Sequence, residues 1–376
     1  MTSDRLTIFS FFSGSGFLDL GFENSGFNIA YVNEIFSPFM TAYRHSRAIL
    51  NLPLPEYGHH GETADINKLN EGIQAQRLQE LIKDCRKSNN IIGFIGGPPC
   101  PDFSVGGKNK GSLGDNGKLS ACYVELICQH QPDFFLFENV KGLWRTTKHR
   151  LFFEALKQQL QQAGYILTER LINAIEYGVP QDRERIILIG FRNNLIQDMG
   201  LSEKPFPWNN HILYSQEKVF SYPWSKCELF KEDSLVPCPN NIPEKLTVEY
   251  WFRQNDVLNH PNSKHCFQPR AGIARFAVVD EGDDSKKSYK RLHRWRYSPT
   301  ACYGNNEVHL HPYKVRRISV AEALAIQSLP ANFVLPDEMT LTNMFKTIGN
   351  GVPYLASKAL AQTILDFLAN YTDEGS

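Results

Sequence analysis

The sequence predicts an α/β fold in which strands and helices alternate, interrupted late by an irregular insert. Three observations carry that expectation. Short β-favouring apolar runs recur between stretches of helical spacing, several of those runs stop at glycine or proline turns, and from about residue 193 to 311 the periodicity gives way to Pro, Trp, Asn and Ser. A chain of 376 residues is long enough for two domains, or for one large α/β domain carrying an insert.

With 42% hydrophobic and 21% charged residues, the composition is ordinary for a soluble globular protein. The 40 Lys plus Arg balance 40 Asp plus Glu, so any electrostatic case for nucleic-acid binding has to be local. Eight cysteines show no Cys-x-x-Cys pair and no repeated spacing, which argues against a zinc site and against a disulfide framework. The polar start Met1-Thr2-Ser3-Asp4-Arg5 leads into a strand and not into a long apolar stretch. Neither a signal peptide nor a membrane span is expected, and a reducing cytosol is the natural compartment.

Leu6 to Phe12 reads as a strand that stops at Ser13-Gly14-Ser15-Gly16, and Phe17 to Asn24 as a helix closed by Gly26. Strand, glycine turn, helix lets backbone N–H groups approach a ligand, and an acid on the next strand can hold ribose hydroxyls. Phe27 to Val32 supplies that strand and Glu34 the acid. Asp19 stands where the third glycine of a dinucleotide G-x-G-x-x-G falls, so that fingerprint is incomplete. Helical spacing follows from Leu69 to Cys85, Ser120 to Gln131 and His149 to Ala163. Strands are expected at Ile91 to Ile95, Asp133 to Phe137, Tyr165 to Ala174 and Ile186 to Phe191. Ser319 to Ser328 reads as a helix with a Ser319/Glu322 capping box, and Tyr354 to Leu368 as an amphipathic helix.

The strand Ile91 to Ile95 leads into Gly96-Gly97-Pro98-Pro99-Cys100-Pro101. Three prolines fix φ around one thiol, and the glycines allow a sharp exit from the strand. A thiol held this way suits a nucleophile, although a lone Cys in a turn is more often a small buried hydrophobe. Val105 to Lys118, with five glycines and three lysines, reads as a flexible linker or as a basic lid that closes on phosphates. From Lys286 to Arg317 nine Lys or Arg stand against the single acid Glu307, with Tyr289, Trp295, Tyr297 and Tyr303 interleaved. That texture fits phosphate contact plus stacking, or a solvated charged face.

Taken in order, these blocks resemble the cytosine-5 DNA methyltransferases of the single-module, restriction-modification or phage type. The resemblance rests on Ser10 to Phe22, Asn33-Glu34, Asp65-Ile66, Gly96 to Ser104, Glu138-Asn139-Val140, Gln181 to Arg185, Arg316 to Ser319 and Gly349 to Pro353. It implies an S-adenosylmethionine-dependent methyltransferase fold, a Rossmann-like mixed sheet with an inserted target recognition domain. Residues 1–192 and 313–376 then form the catalytic domain, and 193–312 the recognition domain. The resemblance further implies sequence-specific methylation of cytosine in double-stranded DNA, with Cys100 as nucleophile on a flipped-out base and Glu138, Arg185 and Arg183 in catalytic roles. The cofactor residues it implies are Phe12, Ser13, Gly14, Gly16, Phe17, Leu18, Asn33, Glu34, Asp65, Ile66, Pro98, Asn350 and Val352. S-adenosylhomocysteine is the implied product, and no metal is needed. Ser104, Lys108, Lys110, Arg294, Arg296 and Thr300 are the implied DNA contacts, Thr300 through a loose match of Ser298-Pro299-Thr300-Ala301 to a short signature. A monomer in the cytoplasm of a bacterial or phage-infected cell is expected. Phe17, where family members often have Gly, is a departure.

Three alternatives stay open at this point. A tRNA cytosine-5 methyltransferase shares the chemistry, but its Cys-Phe-Thr triplet is matched only by Cys266-Phe267-Gln268. A non-catalytic DNA-binding relative is disfavoured because Cys100, Glu138 and Arg185 are all present. A nicotinamide dehydrogenase is disfavoured by Asp19 and by the absence of a convincing hydride-site His.

Overall fold

The computed structural model describes residues 6–58, 65–87, 90–99, 115–202, 204–269, 273–286, 288–301, 303 and 307–369. Seven strands form one sheet: β1 Leu6–Phe11, β2 Asn28–Asn33, β3 Tyr57–Gly58, β4 Ile91–Gly96, β5 Phe134–Val140, β6 Tyr165–Asn173 and β7 Glu184–Arg192. Their order is β3-β2-β1-β4-β5-β7-β6. Strands β1 to β5 run parallel, and β7 runs antiparallel to both β5 and β6. The expected mixed α/β sheet is present.

This topology explains why motifs scattered along the chain meet. The carboxyl ends of β1, β2, β4 and β5 lie on one edge, where open α/β sheets collect their ligands. Because β7 is reversed, its amino end lies on that same edge, with Arg185 opposite Val140. The central strands are apolar on both faces, as strands covered on both sides require. In β5, Phe134, Phe135, Leu136 and Phe137 are all buried, each contributing roughly 1.5–3 kcal/mol on burial. Helices Asp115–His130 and Thr147–Gln162 cover one face, packing on Phe94, Phe135 and Phe137. Helix Tyr354–Ala369 covers the other, against Phe22, Phe27, Phe134 and Phe191.

The two ends of the chain interlock there. Ser357 Oγ donates to Leu18 O at 2.6 Å, Asn24 Nδ2 donates to Tyr354 OH at 3.0 Å, and the hydroxyls of Ser15 and Thr347 meet at 2.7 Å. Helices Ser37–Ile49 and Leu341–Asn350 form in addition to those expected from the sequence. The first begins with Pro38 in its first turn, a position where proline is pre-organised for a helix.

Beyond helix Asn193–Asp198 the described residues up to 319 add no strand to the sheet. Short helices and isolated bridges connect through a second core, centred on helix Val320–Ile326 and holding Phe252, Val257, Leu292, Val308, Phe345 and Ile348. Buried arginines satisfy backbone carbonyls that a ladder would otherwise pair. Arg291 donates to Val279 O at 2.7 Å, to Lys314 O at 2.9 Å and to the carbonyls of Phe276 and His311, with its guanidinium over the Phe230 ring. Among the described residues, no helix is long and apolar enough to cross a membrane.

Candidate active site

Glu138 leaves β5 at the carboxyl edge and is almost fully buried. Arg185 Nε lies 2.9 Å from its Oε1, while Arg185 Nη1 donates to Glu184 O at 2.8 Å. Burial pushes the Glu138 carboxyl above the usual glutamate range, with the cations of Arg185 and then Arg183 opposing that shift. The turn after β4 is fitted to this acid. A Cβ on Gly97 would lie 2.7 Å from Glu138 Oε2, so only glycine lets the carboxylate sit against the backbone there. Asn139 Nδ2 reaches Pro98 O at 3.4 Å. Glu138 and Asn139 thus brace the segment that leads to the expected nucleophile. Cys100 itself lies outside the described residues, as do Ser104, Lys108 and Lys110.

On the same edge, the loop after β1 turns through Phe12, Gly14 and Gly16, all at positive φ. Ser13 N and Ser13 Oγ each donate to Asn33 O at 3.1 Å, and Gly14 N donates to Glu34 Oε2 at 3.0 Å. Phe36 N donates to the other oxygen, Oε1, at 2.7 Å, and burial raises the Glu34 carboxyl. A Cβ on Gly14 would meet only Thr347 Oγ1, at 4.0 Å, leaving a cradle above the loop. Asp65 caps the short helix Ile66–Leu69 by accepting from Asn67 N at 3.1 Å, with Ile66 buried beside it. A glycine loop, a fixed acid just after the next strand and a second acid, Asp65, suit a nucleoside with a charged tail.

The model of C-5 cytosine-specific DNA methylases matches residues 6–366. The chain belongs to this family. The methylase is 58% identical over 370 residues to the type II methyltransferase M.NmeDI of Neisseria meningitidis serogroup C, covering 98% of this chain and 85% of that protein. It is 29% identical to M.MthTI of Methanothermobacter thermautotrophicus, over 96% of this chain and 97% of the other. A structure of a prophage-encoded E. coli protein superposes with a TM-score of 0.62 at 22% identity, over 97% of this chain and 99% of the other. A Spodoptera frugiperda DNMT2 variant gives 0.57 at 18%, over 97% and 99%. The methylase is accordingly a type II DNA cytosine-5 methyltransferase with an S-adenosylmethionine-dependent fold.

Several of the expected site residues occupy other roles in this methylase. Arg183 is wholly buried and its guanidinium serves backbone carbonyls: Nη1 donates to Ala301 O at 3.1 Å, and Nη2 to Gly349 O at 2.8 Å and Gly351 O at 3.1 Å. It acts on Glu138 as a nearby charge and ties the 301 and 349–351 segments to the turn before β7. Phe17 is core, its ring edge-on to Phe333 at 5.2 Å and so close to Gly351 that a Cβ there would lie 2.2 Å away. The departure at this position is absorbed by packing against the last motif. Leu18 and Val352 likewise point into the core, while Asn350 is exposed.

Arg294 corrects the expectation of a DNA-facing cation. It is buried, with Nε 2.8 Å from Glu281 Oε1 and Nη2 2.7 Å from Oε2, and Nη2 also 2.9 Å from Ser234 Oγ. Other basic residues of the stretch are also engaged. Arg296 pairs with Asp284 at 3.0 Å, Arg316 with Glu322 at 2.7 Å, and Lys314 with Asp233. Thr300 Oγ1 donates to Asp182 O at 2.6 Å, which seats the Ser298–Ala301 segment on the Gln181–Arg183 turn. Gln181 joins that seat, its Oε1 accepting from Ala301 N at 3.0 Å. A buried network around Asp19 was not anticipated as part of the site; its signal is an acid inside the apolar run Phe17-Leu18-Asp19-Leu20.

Proposed function

We propose that the methylase transfers a methyl group to carbon 5 of cytosine within a specific sequence of double-stranded DNA, through a covalent Cys100 adduct to a flipped-out base. The observation that carries this reading is the Glu138–Arg185 pair, 2.9 Å apart and braced by the Gly97-Pro98 backbone that leads to Cys100. Carbon 5 is a poor nucleophile until something adds at carbon 6. The Cys100 thiolate forms that bond, the Glu138 carboxyl shares a proton with N3, and Arg185 faces the carbonyl oxygen at carbon 2 as charge develops. The raised Glu138 carboxyl favours the protonated form that this sharing uses. Carbon 5 then takes the methyl group with S-adenosylhomocysteine as leaving group, its proton passes to solvent, and the Cys100–carbon 6 bond breaks to regenerate the thiolate.

Bound S-adenosylmethionine supplies an electrophilic methyl on a sulfonium. Ser13, Gly14, Gly16, Asn33, Glu34, Asp65, Ile66, Pro98 and Asn350 are the residues we assign to holding it. Residues 193–312 are assigned to target recognition, with Thr300 and Arg296 near the junction to the catalytic part, and Ser104, Lys108 and Lys110 to DNA contact. The biological role that fits a type II methyltransferase is protection of DNA from a cognate restriction enzyme.

The test is transfer of labelled methyl to mixed-sequence duplex DNA and, separately, to tRNA, with Cys100→Ser as control. Label in DNA cytosine that disappears in the variant is the expected result. Undiminished label in the variant removes the covalent mechanism, and label in tRNA alone reassigns the insert to RNA.

A further inference from the structure

Asp19 has no part in the mechanism above, yet it is the most elaborately held carboxyl beneath the glycine loop. It is completely buried in the first turn of helix Phe17–Glu23. Oδ1 accepts from Ser10 Oγ at 2.6 Å, and Oδ2 accepts from Tyr43 OH at 2.9 Å. Ser10 Oγ also lies 3.2 Å from Ser13 Oγ, the first residue of the loop. Tyr43 in turn lies under the loop's last residue, since a Cβ on Gly16 would be 2.8 Å from two of its ring carbons.

Tyr43 is itself braced from behind. Arg47 Nη1 approaches the Tyr43 hydroxyl at 3.4 Å, while Nη2 is bound to Glu23 Oε1 at 2.6 Å and Nε to Pro53 O at 2.7 Å. A guanidinium only donates, so the Tyr43 proton is directed to Asp19. The carboxyl therefore fixes the ring, and the ring fixes the α-carbon of Gly16 in its left-handed conformation.

Resting on the reading that Ser13 to Gly16 hold the cofactor, we infer that Asp19 is the positioning residue of this loop, clamping Ser10 and Tyr43 so that the loop is preformed for S-adenosylmethionine. Preorganisation appears in affinity because a loop already in its bound shape loses less freedom on binding. Asn has the shape of this carboxyl, and burial, which pushes the Asp19 carboxyl up to about 6, lowers the cost of exchanging it for a neutral amide. An Asn carbonyl can still accept from Tyr43, and its NH2 can donate to Ser10 Oγ.

Calorimetric titration of the full chain with S-adenosylhomocysteine tests this, with Tyr43→Phe, Asp19→Ala and Asp19→Asn compared with the parent. Tyr43→Phe and Asp19→Ala are expected to weaken binding by about tenfold, the scale of one lost hydrogen bond to a charged group, with Asp19→Asn within about threefold of the parent. In turnover the same loss falls on KM for S-adenosylmethionine and not on kcat. The inference is overturned if folded Tyr43→Phe and Asp19→Ala bind like the parent, or if Asp19→Asn loses as much as Asp19→Ala. Should Asp19→Ala not fold, Tyr43→Phe against Asp19→Asn decides. Failure of the parent itself to bind S-adenosylhomocysteine would instead remove the cofactor reading.

Discussion

Glu138 at the sheet edge and Glu322 at the head of helix Val320–Ile326 are both buried and both face an arginine, yet the two regions treat the acid differently. Glu322 is saturated. Arg316 grips it with both terminal nitrogens at 2.7 and 2.8 Å, Ser319 N donates at 2.7 Å, and His311 stands 3.4 Å away. Burial alone raises such an acid, but His311 and Arg316 outweigh it and hold the carboxyl well below the usual range. Glu138 meets its arginine through one nitrogen, keeps Oε2 against Gly97, and is displaced in the opposite direction. A saturated pair anchors structure, whereas one with acceptor capacity and a raised carboxyl is fit to exchange a proton with a substrate.

The widest separation between the regions is expected from Glu138→Gln, with a loss of about 10²–10⁴ in kcat from the missing proton transfer and a folded protein by circular dichroism. Arg185→Ala should lower kcat by about 10²–10³, the scale of one lost charge-stabilising donor. Glu322→Gln should instead act on stability, by about 2–4 kcal/mol in urea unfolding once the partial exposure of Arg316 is discounted.

The pH dependences have opposite signs. The folded carboxyl of Glu322 is depressed, so its stabilisation is present above the ordinary glutamate pKa and fades as pH falls below it. That of Glu138 is raised, so its cost is absent at acid pH and grows as pH rises through the ordinary pKa. Unfolding curves from pH 3 to 7 should thus show Glu138→Gln gaining on the parent as pH rises and Glu322→Gln losing. The smallest effect is expected from Gly97→Ala, where a displaced carboxylate should cost about tenfold in kcat, with little change in melting temperature.

What the sequence discloses follows the same division. The sheet, the glycine loop, Glu34, Glu138 and Arg185 are legible because each sits at the end of a periodic apolar run, where chemistry and local pattern coincide. The Ser319/Glu322 capping box is legible because its partners are three residues apart. The partners of Arg183 and Arg294 are not legible for the converse reason. The carbonyls that occupy Arg183 belong to Ala301, Gly349 and Gly351, and the acid that neutralises Arg294 is Glu281 on another loop. A run of basic residues records charge but not which guanidinium the fold consumes. Helix Leu341–Asn350 escapes because its Gly349-Asn350 end reads as a turn motif.

The interlock between helix Phe17–Glu23 and helix Tyr354–Ala369 bears on how the protein is made. The apolar layer formed by Phe22, Phe27, Phe134 and Phe191 on one side of the sheet is closed by helix Tyr354–Ala369. On the ribosome, at ~5–20 residues per second, the roughly 180 residues between Phe191 and the end of that helix delay its cover by on the order of 10–35 s. Contacts of such long sequence separation also form slowly. Completion of this core therefore waits on helix Tyr354–Ala369, and chains terminated before it leave an apolar face for chaperones or proteases to find.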